Sequence, residues 1–142
     1  MSNVITLSAA KIYQQEQLIL DNVQLELAAQ SFAYLIGKTG SGKSSLLKTL
    51  YAEIPLQEGE GEVCGFALKG LKRKQIPFLR RKIGIVFQDF QLLMDRTVLQ
   101  NLLFVMGATG WKDKALMEKR AKELLQLVGI EQKINSMPHA LS

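Results

Sequence analysis

Residues 37–44 have the sequence Gly37-Lys38-Thr39-Gly40-Ser41-Gly42-Lys43-Ser44, in which a glycine, four residues and a second glycine precede a lysine and a serine. Residues 32–36, just before it, are continuously apolar, as in a strand that is buried on both faces. A helix is predicted over residues 43–52, with Leu46, Leu47 and Leu50 facing the core. A strand, a glycine-rich loop and a helix in this order are typical of a phosphate-binding loop, the Walker A motif.

The chemistry of this loop depends on its glycines and on its lysine. Glycines allow the backbone amides to point inward, and the helix that follows adds its positive N-terminal end. Lys43 is expected on the β- and γ-phosphates, Ser44 on Mg²⁺ and Ser45 on the α-phosphate. The pattern arises by chance in well under ~1% of chains of this length. A glycine-rich turn would explain the glycines but leaves Lys43 and Ser44 unexplained. The sequence therefore predicts a nucleotide site formed by Gly37, Lys38, Thr39, Gly40, Ser41, Gly42, Lys43, Ser44 and Ser45.

The remaining elements predict an α/β fold. Two strands over residues 4–13 and 18–27 flank a polar turn, and a turn at residues 58–61 precedes a short strand at 62–66. Two helices are further predicted, one beginning after Thr97, whose spacing to Gln100 is that of a capping box, and one over residues 112–128 that ends before Gly129. The other predicted elements are a short helix at 75–81, a second buried strand at 83–87, and an apolar stripe on the last helix formed by Leu116, Ala121, Leu124, Leu125 and Val128.

Composition and charge restrict the function classes. The chain has 142 residues, 47% of them hydrophobic, and its apolar runs are far shorter than the ~20 residues of a membrane-spanning helix. No basic start precedes a long apolar stretch, and the single cysteine, Cys64, fits a reducing compartment. A cytoplasmic location is therefore expected.

The phosphate-binding loop alone does not identify the function, because it occurs in kinases, GTPases and transport ATPases. A small kinase would need an acceptor site and an arginine-rich lid, for which Arg80 and Arg81 are the paired arginines available. A non-enzymatic nucleotide-binding module would use its basic segment on nucleic acid or anionic lipid. Residues 69–82 carry +7 and no acid, in a chain whose net charge is +5, although a solvated helix face also explains such a cluster.

Several motifs resemble one family, the ABC-type ATPases. The stretch Ile83-Gly84-Ile85-Val86-Phe87-Gln88-Asp89 resembles the strand and glutamine loop of that family, in which the glutamine binds Mg²⁺ and responds to the membrane partner. Tyr13, twenty-four residues before Gly37, matches the aromatic residue on which adenine stacks. The stretch Thr97-Val98-Leu99-Gln100-Asn101-Leu102 is similar to the start of the family's helical subdomain.

The resemblance covers the whole chain and implies its organisation. Residues 1–93 would hold an antiparallel β subdomain, a parallel-sheet core with the Walker A loop, and the glutamine loop. Residues 94–142 would begin the helical subdomain and end on Leu141 and Ser142, which look like the first two residues of the Leu-Ser-Gly-Gly-Gln signature. The fold class is thus a phosphate-loop NTPase fold of the ABC type, of which the chain is expected to be the N-terminal part.

The resemblance also implies ligands and partners. The site would bind ATP with Mg²⁺, the metal being held by Ser44 and Gln88. Two domains would form a homodimer around two ATP molecules, and an integral membrane permease would respond to their motion. Residues 88–93, followed by 95–98, are similar to the cell-division type of this family and to lipoprotein-release ATPases of similar design. Both types pair with a membrane permease, so a location at the inner face of the cell membrane is expected. No nucleic-acid partner is expected.

The family's remaining catalytic residues have no match among these positions. They are the glycines of the signature, an aspartate on Mg²⁺, a glutamate that activates water, and a late histidine, whereas His139 precedes the signature. No complete catalytic set is therefore expected in this chain. The segment that carries these residues is also expected to supply the strand beside residues 32–36.

Overall fold

The fold is described from a computed structural model, which describes residues 2–141. Two compact units are present, Met1–Gly84 and Ile85–Ser142. The first unit contains a four-stranded sheet and two helices, and the second contains two longer helices. The predicted subdomain boundary between residues 93 and 94 stays a prediction.

An antiparallel sheet organises the first unit. It consists of β1 (Asn3–Gln14), β2 (Gln17–Ala28), β3 (Glu58–Val63) and β4 (Phe66–Ala67), in the order β2-β1-β3-β4. All three pairings are antiparallel, so the predicted hairpin and the predicted antiparallel β subdomain are confirmed. Leu7, Ala10 and Ile12 of β1 lie in the core of this unit, and an irregularity in the register between Leu7 and Ala10 shifts the alternation by one residue.

The turn predicted at residues 58–61 is wrong, because these residues form most of β3. Gly59 has a φ of 82°. A Cβ atom there would lie against the carbonyl oxygen of Ala9 and only 2.5 Å from Ala10 Cα. The glycine therefore permits β3 to approach β1 closely. In the sequence, a glycine with this role looks the same as a glycine in a turn.

Helix α1 (Lys43–Leu50) begins directly at the end of the glycine-rich loop, as predicted. Leu46 is buried and Leu50 is half-buried, but Leu47 is 51% exposed, so its predicted core position is wrong. Ser45 and Thr49 face inward instead, and the Thr49 hydroxyl donates to the Ser45 carbonyl at 2.9 Å. At 3.6 residues per turn, residues 45, 46, 49 and 50 share one face of the helix and residue 47 does not.

The two segments predicted as buried parallel strands, residues 32–36 and 83–87, are not strands in the described structure. Phe32, Tyr34 and Ile36 are 80–87% exposed, and Val86 is 91% exposed. A parallel strand is stabilised by hydrogen bonds to its neighbours, and within residues 2–141 the sheet is the antiparallel one alone. The predicted parallel-sheet core is thus not formed among the described residues.

The basic segment contains the short helix α2 (Ile76–Arg80), preceded by a 3₁₀ turn at Arg73–Gln75. The predicted short helix is therefore confirmed. Arg80 donates through Nε to the Tyr51 carbonyl at 3.0 Å, at the C-terminal end of α1. Lys69 Nζ lies 3.3 Å from a Glu60 carboxylate oxygen. Part of the +7 charge is therefore engaged in contacts within the chain.

The second unit is built on α3 (Val98–Ala108) and α4 (Lys114–Leu127). Thr97 caps α3 with Gln100 as its capping-box partner, as predicted. Met106, Met117 and Ala121 form the small core of this unit, whereas two residues of the predicted α4 stripe, Leu116 and Val128, are exposed. None of the helices within residues 2–141 is long and apolar enough to cross a membrane.

Candidate nucleotide-binding site

The loop at residues 37–42 closes around the ammonium group of Lys43. Lys43 Nζ donates to the carbonyl oxygens of Gly37 at 2.7 Å and Lys38 at 2.8 Å. Within the loop, the Ser41 amide donates to the Lys38 carbonyl at 3.1 Å. A full positive charge is thus held at the centre of the loop by two neutral acceptors.

Glycine is required at particular positions of this loop. Gly40 and Gly42 have φ values of 81° and 93°, in the left-handed region that favours glycine. A Cβ atom on Gly42 would lie 2.9 Å from the side chain of Leu20 in β2. The end of the loop is therefore packed directly against β2, and the sheet fixes the position at which α1 begins.

The N-terminal end of α1 adds further donors. The first four amides of a helix have no partner within it, and the helix dipole makes this end positive. No acidic residue lies in the first turn of α1. Ser44 is exposed, whereas Ser45 is buried on the core side of the helix. Lys43, the helix end and Ser44 together can bind an anionic oxygen cluster with a hard cation beside it.

Tyr13 lies at the end of the β1–β2 hairpin that adjoins the loop. In the hairpin register Ile12 faces Leu20 and Tyr13 faces Leu18. Leu20 is the residue against which Gly42 packs. The end of the phosphate-binding loop thus packs against the same hairpin that carries Tyr13.

A carboxylate that the sequence analysis did not single out contacts Tyr13. The Tyr13 hydroxyl donates to Glu58 Oε1 at 2.6 Å, and Glu58 Oε2 lies 3.4 Å from Lys11 Nζ. The hydrogen bond from Tyr13 is the main cause that lowers the pKa of the Glu58 carboxyl. The signal for this contact is the pairing of Glu58 with Lys11 across β1 and β3, which the prediction of a turn at residues 58–61 concealed.

Gln88 belongs to the second unit. It lies with Asp89 in an exposed turn, closed by a 3.1 Å hydrogen bond from the Phe90 amide to the Phe87 carbonyl. Ser44 lies in the first unit, so a Mg²⁺ site shared by Ser44 and Gln88 stays a prediction. Across residues 2–141 there is no group of three or more His, Cys, Asp or Glu side chains that could hold a metal ion by themselves.

Comparisons with known proteins address the resemblance. The chain is 36% identical over 142 residues to the cell division ATP-binding protein FtsE of Streptococcus pneumoniae, covering 100% of this chain and 61% of FtsE. It is 39% identical over 123 residues to the methionine import ATP-binding protein MetN 2 of Salmonella paratyphi A, covering 87% of this chain and 36% of MetN 2. The chain thus spans about three fifths of the FtsE to which it is similar.

Solved structures confirm the fold class. The ATP-binding cassette MJ0796, in a dimeric post-hydrolysis state bound to ADP and Pi, superposes with a TM-score of 0.83 at 30% identity, over 97% of this chain and 63% of the cassette. The CbiO1 protein of Clostridium perfringens, part of the ABC transporter complex CbiONQ, gives a TM-score of 0.83 at 26% identity, over 100% of this chain and 57% of CbiO1.

The family itself is identified by a match along most of the chain. Residues 20–142 match the ABC transporter family, and the matched range includes the loop at residues 37–44, Gln88 and both helices of the second unit. The dimeric cassette and FtsE agree with this match in fold and in sequence. The chain therefore belongs to the ABC transporter family.

Proposed function

We propose that this chain is the ATP-binding part of an ABC-type complex that couples ATP binding and hydrolysis to a membrane permease. The observation that carries the proposal is the Lys43 ammonium, held inside its loop by the carbonyls of Gly37 and Lys38. Phosphate oxygens are stronger acceptors for an ammonium group than neutral carbonyls, so a triphosphate would take over these two hydrogen bonds.

Each site residue has a role in this proposal. Lys43 would bind the β- and γ-phosphates, and Tyr13 would stack on adenine. The contact of Ser45 with the α-phosphate stays a prediction, because Ser45 is buried on the core side of α1. The bound Mg²⁺ would neutralise charge on the phosphates, and Ser44 and Gln88 are the residues that would hold it. Ser44 suits this role because it is an exposed residue at the N-terminal end of α1.

The biological setting is the finer part of the proposal. The chain would act in cell division as an FtsE-like homodimer, bound to an FtsX-like permease at the cytoplasmic face of the membrane. Support comes from the similarity to FtsE over all 142 residues, against 123 residues for MetN 2. The dimeric state of the MJ0796 cassette supports the proposed homodimer.

Co-purification tests the partner. The protein is expressed with an FtsX-like permease or, as the control, with a methionine-import permease, and each permease is captured from detergent extracts. Retention by the FtsX-like permease alone is the expected result. Retention by the methionine-import permease alone would overturn the cell-division assignment and leave the ATP site unaffected.

A thermal-shift experiment separates this function from that of a small kinase. We expect Mg-ATP to raise the melting temperature, and candidate phosphoryl acceptors to add nothing to that shift. A reproducible further shift with one acceptor in the presence of a non-hydrolysable ATP analogue would favour the kinase.

A further inference from the structure

Lys11 and Tyr13 lie two residues apart on β1 and therefore point to the same face of the sheet. Glu58, at the first position of β3, is the register partner of Lys11. One carboxylate oxygen of Glu58 accepts from the Tyr13 hydroxyl at 2.6 Å, and the other lies 3.4 Å from Lys11 Nζ. The Glu58 carboxylate thus joins two side chains of the neighbouring strand.

Glu60 provides a comparison within the same strand. It lies two residues beyond Glu58 in β3, and its carboxylate is also paired with a lysine, Lys69, at 3.3 Å. Glu60 thus pairs with a lysine alone among the described side chains, whereas Glu58 also holds an aromatic ring. An effect of Glu58→Ala that Glu60→Ala does not reproduce is therefore more than the general effect of removing a carboxylate–lysine pair from β3.

We propose that Glu58 is a positioning residue for the nucleotide base, because it holds the ring of Tyr13 on the hairpin against which the phosphate-binding loop packs. The inference rests on the proposed function and deepens it. A half-exposed tyrosine loses side-chain entropy when a base stacks on it, and a ring that is already held loses less. A hydrogen bond between a hydroxyl and a carboxylate is among the stronger ones, which suits it to hold the ring.

The geometry separates two explanations of Tyr13. If the ring acts only by its apolar faces, Tyr13→Phe is silent because the ring is kept. If the bond to Glu58 holds the ring, Tyr13→Phe and Glu58→Ala each release it and weaken base binding alike. Inorganic tripolyphosphate has no base, so its binding reports the loop without the ring.

The experiment is calorimetry on the full-length protein with Mg-ATP and with tripolyphosphate. The variants are Glu58→Ala, Tyr13→Phe, the two combined, and Glu60→Ala as the matched control. We expect Glu58→Ala and Tyr13→Phe each to weaken ATP by about two- to five-fold, a part of what an aromatic contact contributes, with tripolyphosphate unchanged. The double variant is expected to be no weaker than either single one, and Glu60→Ala to match the wild type.

Two results would overturn the positioning role while the proposed function stands. One is unchanged ATP affinity in both Glu58→Ala and Tyr13→Phe, and the other is an equal loss for ATP and tripolyphosphate, which would indicate a general structural effect. Tyr13→Phe conserves the volume of the ring, so the comparison remains possible if Glu58→Ala fails to fold. If Lys43→Ala leaves ATP affinity unchanged, the proposed function itself fails, and the inference fails with it.

Discussion

The carboxyl group of Glu58 has a pKa below its ordinary value of 4.5, mainly because of the hydrogen bond from Tyr13 and further because of Lys11 and Lys69. Asp21 also acts on this cluster, through Lys11 and Tyr13. Since the folded-state pKa is the lower one, the ionised carboxylate contributes its full stabilisation above pH 4.5 and loses it as the pH falls through the lowered pKa. We expect Tyr13→Phe to move the pKa of Glu58 back toward 4.5.

Carboxyl-carbon NMR titration of Glu58 measures this change directly. The titration midpoint of Glu58 in Tyr13→Phe is expected to be higher than in the wild type. An identical Glu58 midpoint in the two proteins would contradict the hydrogen bond.

Gly59 and Gly65 form a matched pair for testing the close approach of β3 to β1. Their φ values are nearly equal, 82° and 83°. A Cβ atom on Gly59 would meet the backbone of Ala9 and Ala10, whereas one on Gly65 would meet nothing within 4 Å. We expect Gly65→Ala to cost about 1 kcal/mol for its left-handed conformation alone. Gly59→Ala is expected to cost at least about 2 kcal/mol more, because the two strands must separate.

Urea unfolding of the two variants gives both free energies of unfolding. Equal midpoints for Gly59→Ala and Gly65→Ala, at equal slopes, would show that β3 has room beside β1 and would contradict the described register.

At the scale of the elements, Asn101 connects α3 to the loop before it. Its Nδ2 donates to the carbonyls of Leu93, Arg96 and Thr97 at 3.0–3.1 Å, and its Oδ1 accepts from the Leu93 amide at 2.8 Å. Asn101→Asp replaces the donor with a charged oxygen that faces three carbonyls. We expect it to destabilise the fold by about 2 kcal/mol or more, against about 1 kcal/mol for Thr97→Ala, which removes only the cap.

Thermal unfolding of Asn101→Asp and Thr97→Ala ranks the two costs. A larger loss for Thr97→Ala would mean that the cap, and not Asn101, fixes the loop at residues 93–97.

The elements that the sequence predicted correctly depend on contacts close together in the chain. The β1–β2 hairpin is specified by its alternation and its turn, and α3 by the Thr97 cap. The strand predicted at residues 32–36 is absent because an apolar run forms a strand only beside a partner strand, which the described residues do not provide. The prediction of a turn at the start of β3 was wrong because Gly59 permits a close approach between two strands.

In the candidate site, too, the contacts that were predicted are local in sequence and the contact that was missed is long-range. The loop around Lys43 was predicted because all of its residues are contiguous, and Tyr13 was predicted from its spacing to Gly37. Glu58 was missed because its contact with Tyr13 spans 45 positions and depends on the register of β1 and β3. No local pattern encodes such a register.

For the whole molecule, the chain spans 61% of the FtsE to which it is similar. We expect residues 1–142, expressed by themselves, to bind ATP without turnover. Hydrolysis also needs an oriented water, a base and charge stabilisation from the opposing subunit, and the resemblance assigns those residues to positions outside this range. Phosphate release is measured for residues 1–142 and for a version extended by a family C-terminal half. Turnover by residues 1–142 that depends on Lys43 would contradict this expectation.

The central claim is that Lys43 in its closed loop binds the phosphates of ATP, and calorimetry of Mg-ATP binding to the full-length wild type and Lys43→Ala tests it most directly. Lys48→Ala is the matched control, because Lys48 lies in the same helix and its ammonium pairs with Glu53 at 3.0 Å. The account predicts that Lys43→Ala abolishes measurable binding, since it removes the full positive charge at the centre of the loop, and that Lys48→Ala binds like the wild type. Equal ATP affinity for the wild type and a folded Lys43→Ala would contradict it.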